Sequence, residues 1–166
     1  MAEFLTTKGI LFKVEEIIKN SKEHLCIVTP YVQVSEQFKE RLEDVSERKV
    51  KIIWVYGKND LKVGEEFFLS SLKNLHLYFC KTLHAKCYFN ESELIITSMN
   101  LYEASEKNRE MGLYITKDTD AKLYSEIITE VGSIIKNSVL EIEPNLTKEK
   151  KVNSKVKVKG GKSKSR

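Results

Sequence analysis

The 166-residue chain is short of cysteine, of long apolar runs and of clustered carboxylates, and each shortage excludes something. Its three cysteines, Cys26, Cys80 and Cys87, are odd in number, lie singly in apolar runs and form no Cys-x-x-Cys pair, which excludes a disulfide framework. No apolar run approaches the ~18 residues of a membrane helix, and Lys8 and Lys13 interrupt the one early stretch that could open a secretory leader. No membrane span is expected, and a cytoplasmic location is. With no carboxylate cluster to suggest a divalent cation, neither a metal nor another cofactor is expected. Internal repeats are lacking too, and one domain of roughly 100–200 residues accounts for the length.

Charge is unevenly spread. The whole chain has 28 Lys+Arg against 24 Asp+Glu, a formal +4. Lys148 to Arg166 hold nine of the bases and one Glu, or +8, so residues 1–147 hold 19 bases and 23 acids, or −4. The expected organisation is an acidic domain over 1–147 followed by a basic tail over 148–166. Few apolar residues punctuate that tail, which predicts disorder. Lys148, Lys150, Lys151 and Lys155 are its first cations and would attract a polyanion such as nucleic acid without regard to sequence, in a salt-sensitive way.

Apolar spacing sets the expected elements. Ile10, Val14, Ile17 and Ile18 recur at helical spacing, which predicts a helix over about 8–20. His24 to Thr29 is a short apolar run closed by Pro30, suited to a buried strand. Ser35 is placed as an N-cap for a helix with Phe38, Leu42 and Val45 on one face, and Val50 to Tyr56 reads as a second buried strand ending at Gly57. A helix near 62–73 and a strand over 75–80 follow. His84–Phe89 and Leu94–Met99 then flank Asn90-Glu91-Ser92-Glu93, which is hairpin chemistry. Met111–Ile115 is another strand, and Asp118 is placed as the cap of a long helix with Tyr124, Ile127, Ile128, Val131, Ile134 and Ile135 on one stripe. Early strand–helix–strand units followed by a hairpin predict an α/β fold, a mixed β-sheet flanked by helices on both faces.

His84 and Lys86 are two apart on one predicted strand, and Ser98 and Asn100 two apart on the next. A three-residue loop, Glu91 to Glu93, would oppose His84 to Asn100 and Lys86 to Ser98, with Cβ atoms roughly 5 Å apart. A two-residue loop would oppose His84 to Met99 and send Ser98 and Asn100 to the other face. In the first register, imidazole, ammonium, hydroxyl and carboxamide converge as a phosphodiester site. Lysine supplies charge for nonbridging oxygens, Ser and Asn supply neutral donors, and His serves as nucleophile or general acid. Such a histidine needs an acceptor on its second nitrogen, and Glu110 is the candidate. Tyr31, after Pro30 at a strand end, could line the site. Cys80, His84 and Cys87 are close in sequence, yet strand alternation turns Cys87 away from His84, which argues against a metal site. His24 and His76 read as structural or surface residues, and Trp54 and Tyr56 as core.

Together His84-Ala-Lys86, Glu91, Ser98-Met-Asn100 and Asn108-Arg-Glu110 resemble the His-x-Lys signature of the phospholipase D superfamily, with its downstream Ser-x-Asn and Asn-x-Glu elements. The resemblance is densest over residues 82–112. Glu91 stands where the family usually has Asp, and Thr97 where Gly commonly precedes the Ser. The resemblance implies metal-independent phosphodiester cleavage through a phosphohistidine, with Glu91 and Asn108 supporting the site. It also implies two motifs facing each other, one histidine attacking phosphorus and the other protonating the leaving oxygen. This chain has one motif, because Cys26 and Tyr78 occupy the positions two after His24 and His76. A homodimer completing the site, with both His84 side chains near its axis, is therefore expected. Short single-motif relatives that are enzymes tend to be nucleases, so DNA or RNA is the expected substrate. The alternatives are a phospholipid phosphodiesterase or a family member that binds nucleic acid without cutting.

Overall fold

The computed structural model describes residues 1–58, 61–102 and 107–144, and among them four helices form, three of them where apolar residues recur every three or four positions and are buried, the third in chain order burying the adjacent Phe68 and Leu69 instead. Helix α1 (Thr7–Asn20) buries Ile10, Val14, Ile17 and Ile18, and α2 (Glu36–Glu47) buries Phe38, Leu42 and Val45. Ser35 is the N-cap of α2 as expected, although its hydroxyl makes no capping bond. Helix α3 (Val63–Ser71) is closed at its start by the Glu65 carboxylate, which accepts the Lys62 amide at 3.0 Å. Helix α4 (Ala121–Lys136) buries Tyr124 and Val131. Its N-cap is Asp120 and not Asp118, because a turn bonding the Asp120 amide to the Thr116 carbonyl at 3.0 Å intervenes before the helix begins.

Among the described residues eight strands make one sheet: β1 (Glu3–Thr6), β2 (His24–Val28), β3 (Lys51–Tyr56), β4 (Leu75–Phe79), β5 (Cys87–Phe89), β6 (Glu93–Thr97), β7 (Met111–Thr116) and β8 (Val139–Ile142). Their order is β1-β7-β6-β5-β2-β3-β4-β8. The β2–β3–β4 pairings are parallel and the others antiparallel, so the sheet is mixed as expected. Strands β1 and β8 escape the sequence pattern because each is a four-residue edge strand with little buried side chain to betray it. Alternation along the strands divides the core in two. Leu25, Ile27, Trp54, Tyr88 and Ile95 pack with α1, α2 and α3, while Cys26, Val28, Val55, Phe89 and Leu94 pack with α4. Trp54 and Tyr56 are core. All three cysteines are free, and among the described residues no helix is long and apolar enough to cross a membrane.

The β5–β6 hairpin corrects the expected register. Cys87 pairs with Ile96, Tyr88 with Ile95 and Phe89 with Leu94, so two residues and not three fill the turn. The cause is Asn90. Its Oδ1 accepts the amides of Ser92 at 2.9 Å and Glu93 at 2.8 Å, while its own amide bonds the Glu93 carbonyl at 3.0 Å. That side-chain mimicry of a backbone turn shortens the loop by one residue.

Asn90 also donates through Nδ2 to the Ile17 carbonyl of α1 at 3.0 Å and accepts the Tyr124 hydroxyl of α4 at its carbonyl. It is fully buried and ties the turn to helices on both faces. Asn90→Ala takes the acceptor from the two part-buried turn amides, at about 1–3 kcal/mol for each group left unsatisfied, while the Ile17 carbonyl keeps the Ser21 hydroxyl at 2.7 Å. We expect urea unfolding of the variant to report a loss of about 3 kcal/mol.

Candidate active site

Strands β2 and β3 end side by side, with the Thr29 amide donating to the Val55 carbonyl at 3.1 Å. Over that end lies the Cys80–Leu83 turn, bonded by the Cys80 amide to the Tyr56 carbonyl at 2.8 Å and closed by the Leu83 amide on the Cys80 carbonyl at 2.9 Å. Gly57 permits this approach, since a Cβ there would stand 2.8 Å from Leu83 Cβ and 2.9 Å from the Leu83 oxygen. A methyl group at 57 would push out the residue that precedes His84.

His84 is exposed. It is not on a strand, because β5 begins only at Cys87, so the His84–Lys86 segment is a strap leading into the sheet. Lys86 Nζ donates back to the His84 carbonyl at 3.0 Å. The Thr97 amide bonds the Lys86 carbonyl at 3.2 Å, which puts Thr97, and not Ser98, opposite Lys86. Ser98 turns instead to β7: its amide bonds the Met111 carbonyl at 3.0 Å, its Oγ accepts the Met111 amide at 3.1 Å, and its hydroxyl donates to Glu110 Oε2. Asn100, past the end of β6, reaches the end of β2, where the buried Thr29 hydroxyl donates to its Oδ1 at 3.3 Å.

The predicted site residues therefore meet in two adjoining groups. His84, Lys86, Asn100 and Thr29 border the ends of β2 and β5, while Ser98, Glu110 and Asn108 are gathered where β6, β7 and α1 meet. Among the described residues, no hydrogen bond joins the His84 imidazole to Lys86, Ser98, Asn100 or Glu110. Thr7 holds the second group: its hydroxyl donates to the Asn108 carbonyl at 2.8 Å and accepts the Glu110 amide at 2.9 Å. Tyr31 packs edge-to-face on Tyr102, with ring centroids 6.5 Å apart. Lys148, Lys150, Lys151 and Lys155 lie outside the described residues. No group of three His, Cys, Asp or Glu among the described residues is placed to hold a metal ion.

Glu91 lies at the other end of the sheet. Its carboxylate accepts the amides of Lys22 at 3.1 Å and Glu23 at 3.3 Å, fastening the hairpin turn to the start of β2. Partial burial works to raise its pKa, but amide hydrogen bonds from Glu91 itself, Glu23, Lys22 and His24 outweigh it and hold the carboxyl below its ordinary 4.5. A carboxyl depressed by folding contributes stability above its unfolded value and loses it as pH falls through the folded one. The stability difference between wild type and Glu91→Gln should be full near pH 6 and shrink toward pH 3, measured by denaturant unfolding across that range. Glu91 thus touches the candidate site only through the placement of β2.

Sequence reasoning passed over three residues that organise the site. Thr29 is the polar end of an apolar run, and its burial reveals that it serves Asn100. Tyr88, two after Lys86, donates its hydroxyl to the Met99 carbonyl at 2.8 Å and so fixes the Ser98–Asn100 backbone. Burial pushes its phenol well above the ordinary range, which keeps it a donor. Thr7 gave no signal, because the contact that matters spans a separation of 101 residues.

A mixed sheet between helix layers, with a His-x-Lys strap over the ends of its parallel strands, defines a phosphodiesterase of the phospholipase D superfamily. The chain belongs to that superfamily's PLD-like domain family: the family described as "Cardiolipin synthase, PLD-like domain" matches residues 14–132, which include every site residue from His84 to Glu110. Among solved structures it is similar to the phospholipase D family member Nuc from Salmonella typhimurium and to NucT from Helicobacter pylori. Each has a TM-score of 0.69 and 14% identity, over 85% of this chain and 99% of the other. It is also similar to phosphatidylserine synthase from Haemophilus influenzae, with a TM-score of 0.66 and 14% identity over 95% of this chain and 46% of that one. At these identities the likeness is one of fold. No curated protein sequence matches the chain.

Proposed function

We propose that the protein is a metal-independent nuclease that hydrolyses DNA or RNA through a phosphohistidine, in a site shared by two copies of the chain. The observation that carries this reading is the exposed His84, with Lys86 and Asn100 held at the same sheet end inside a PLD-like domain. A nucleic-acid substrate fits the charge of the segments that bear the site. Lys58, Lys81, Lys107 and Arg109 are exposed there, and the described acids beside them are engaged, Glu110 by Ser98 and Glu65 by the Lys62 amide. The −4 of residues 1–147 is thus not the charge a substrate phosphate would meet.

In the proposed chemistry one His84 attacks phosphorus, and the bond from phosphorus to the leaving oxygen breaks. The second His84 of the dimer gives that oxygen its proton, then takes one from the water that hydrolyses the phosphohistidine. Lys86 and Asn100 bind the nonbridging oxygens. Ser98 holds Glu110 by its Oε2, and Glu110 Oε1 is assigned to the imidazole N–H. Asn108 supports Glu110 through Thr7.

A second copy has a surface to meet. Phe4 lies opposite Leu113 across β1–β7, and Leu113 lies opposite Ile96 across β7–β6, on the face that α4 covers only further along. These three and Met111 are exposed by 61%, 45%, 40% and 64%. The patch runs directly into the site, because Met111 is the residue whose backbone Ser98 grips. The reading is tested by assaying wild type and His84→Ala on single-stranded DNA, duplex DNA, RNA and anionic phospholipid, in excess EDTA. We expect cleavage of nucleic acid by wild type alone. Cleavage of lipid only, or loss of all activity on chelation, would overturn it.

A further inference from the structure

Tyr31 and Tyr102 stand one step beyond the Thr29–Asn100 contact. The Thr29 hydroxyl meets Asn100 at 3.3 Å, and two residues further along each segment the rings meet at 6.5 Å, their planes at 62°. Two residues of chain reach at most about 7 Å, so the pair borders the phosphate-binding side chains. Both backbones are pinned. The Pro30 carbonyl accepts the amides of Gly57 at 3.1 Å and Lys58 at 3.0 Å, and the carbonyl of buried Leu101 accepts the Ser35 amide at 3.0 Å. Neither ring belongs to the core clusters, and Tyr31 is 39% exposed. A small cleft beside Tyr31 is lined by Val32, Gln33, Lys58, Leu61 and Glu65. The exposed Lys58 ammonium there can meet a phosphate flanking a base laid on the ring.

We propose that Tyr31 and Tyr102 form a stacking platform for an unpaired nucleobase next to the scissile phosphate, which makes single-stranded nucleic acid the substrate class. This rests on the nuclease reading above. In a duplex each base face is covered by its neighbours, whereas in a single strand any base offers a π-face to a protein ring whatever its sequence. The ring pair is ordered before the substrate arrives, so little side-chain entropy is lost on stacking.

The test is steady-state kinetics on a single-stranded oligonucleotide and on its duplex, for wild type, Tyr31→Ala, Tyr102→Ala and the two Tyr→Phe variants. Wild-type hydrolysis of bis(p-nitrophenyl) phosphate is measured alongside and reports the catalytic centre by itself. Base–aromatic stacking is worth about 5- to 150-fold in binding. We expect wild type to prefer the single strand, each alanine variant to raise KM for it at least about fivefold with a smaller change in kcat, and each phenylalanine variant to stay near wild type. If the small diester is hydrolysed but the duplex is cut as readily as the single strand, or the alanine variants keep the wild-type KM, the platform is wrong and the nuclease reading stands. If wild type hydrolyses no phosphodiester, both fall together.

Discussion

Replacing His84 with alanine should leave a folded protein whose turnover falls by about 10⁴-fold or more. The fold should survive because the side chain is exposed and makes no hydrogen bond to another described residue, and substitutions at such positions stay within about 0.5 kcal/mol. Activity should not survive, because in the proposed dimer each chain supplies the same residue to two roles. The substitution removes the nucleophile and, from the partner, the group that protonates the leaving oxygen and then takes the proton of the attacking water, and no neighbouring group can take either part. Lys86 is committed by charge to phosphate, Asn100 cannot transfer a proton, and Glu110 holds Ser98. General acid–base help alone is worth about 10² to 10⁴-fold, and deleting a covalent nucleophile costs more. The measurement is kcat on an oligonucleotide, paired with urea unfolding of both proteins. A His84→Ala protein that retains wild-type turnover would remove the phosphohistidine from the mechanism.

The parts of this molecule legible in its sequence are those where one residue's chemistry decides the matter locally. Helices α1, α2 and α4 were readable because Ile10 to Ile18, Phe38 to Val45 and Tyr124 to Val131 repeat at helical spacing, and β2 and β3 because continuous apolar runs end at Pro30 and Gly57. The site residues were readable as a set, because His84, Lys86, Ser98, Asn100 and Glu110 carry chemistry that a plain core segment does not need. Their arrangement was not. A one-residue difference in loop length reverses which face a strand residue occupies, and that difference lay in the Asn90 side chain capturing two amides. Ser98 consequently faces β7 and serves Glu110. Thr7 and Thr29 were illegible for a different reason. Each is ordinary in its own segment and acquires a role only from a partner about 70 to 100 residues away. Glu91 has the family's position, yet its carboxylate binds backbone at the far end of β2.

Leu113→Arg should give a stable monomer with no measurable turnover. Leu113 is the middle of the exposed strip, with Phe4 opposite it on one side and Ile96 on the other. In an isolated chain the new guanidinium projects into water, where a substitution at a half-exposed position is nearly neutral for stability. In a two-fold dimer that buries this strip, symmetry duplicates every change, so two guanidinium groups enter one apolar contact without a carboxylate to meet them. Desolvating each without a partner costs several kcal/mol, enough to dissociate a dimer of ordinary affinity. The monomer retains His84, Lys86 and Asn100 but has one histidine where the mechanism uses two, so the loss of turnover should match that of His84→Ala. Sedimentation equilibrium and kcat, read on the same sample, check both halves. An active monomer would show that one chain holds a whole site, and an unaltered dimer would place the contact on another face. Mixing adds an independent reading. Heterodimers of wild type with His84→Ala contain one histidine per shared site, so co-expression of the two chains should depress specific activity below the wild-type fraction, whereas self-sufficient chains would give activity in proportion to it.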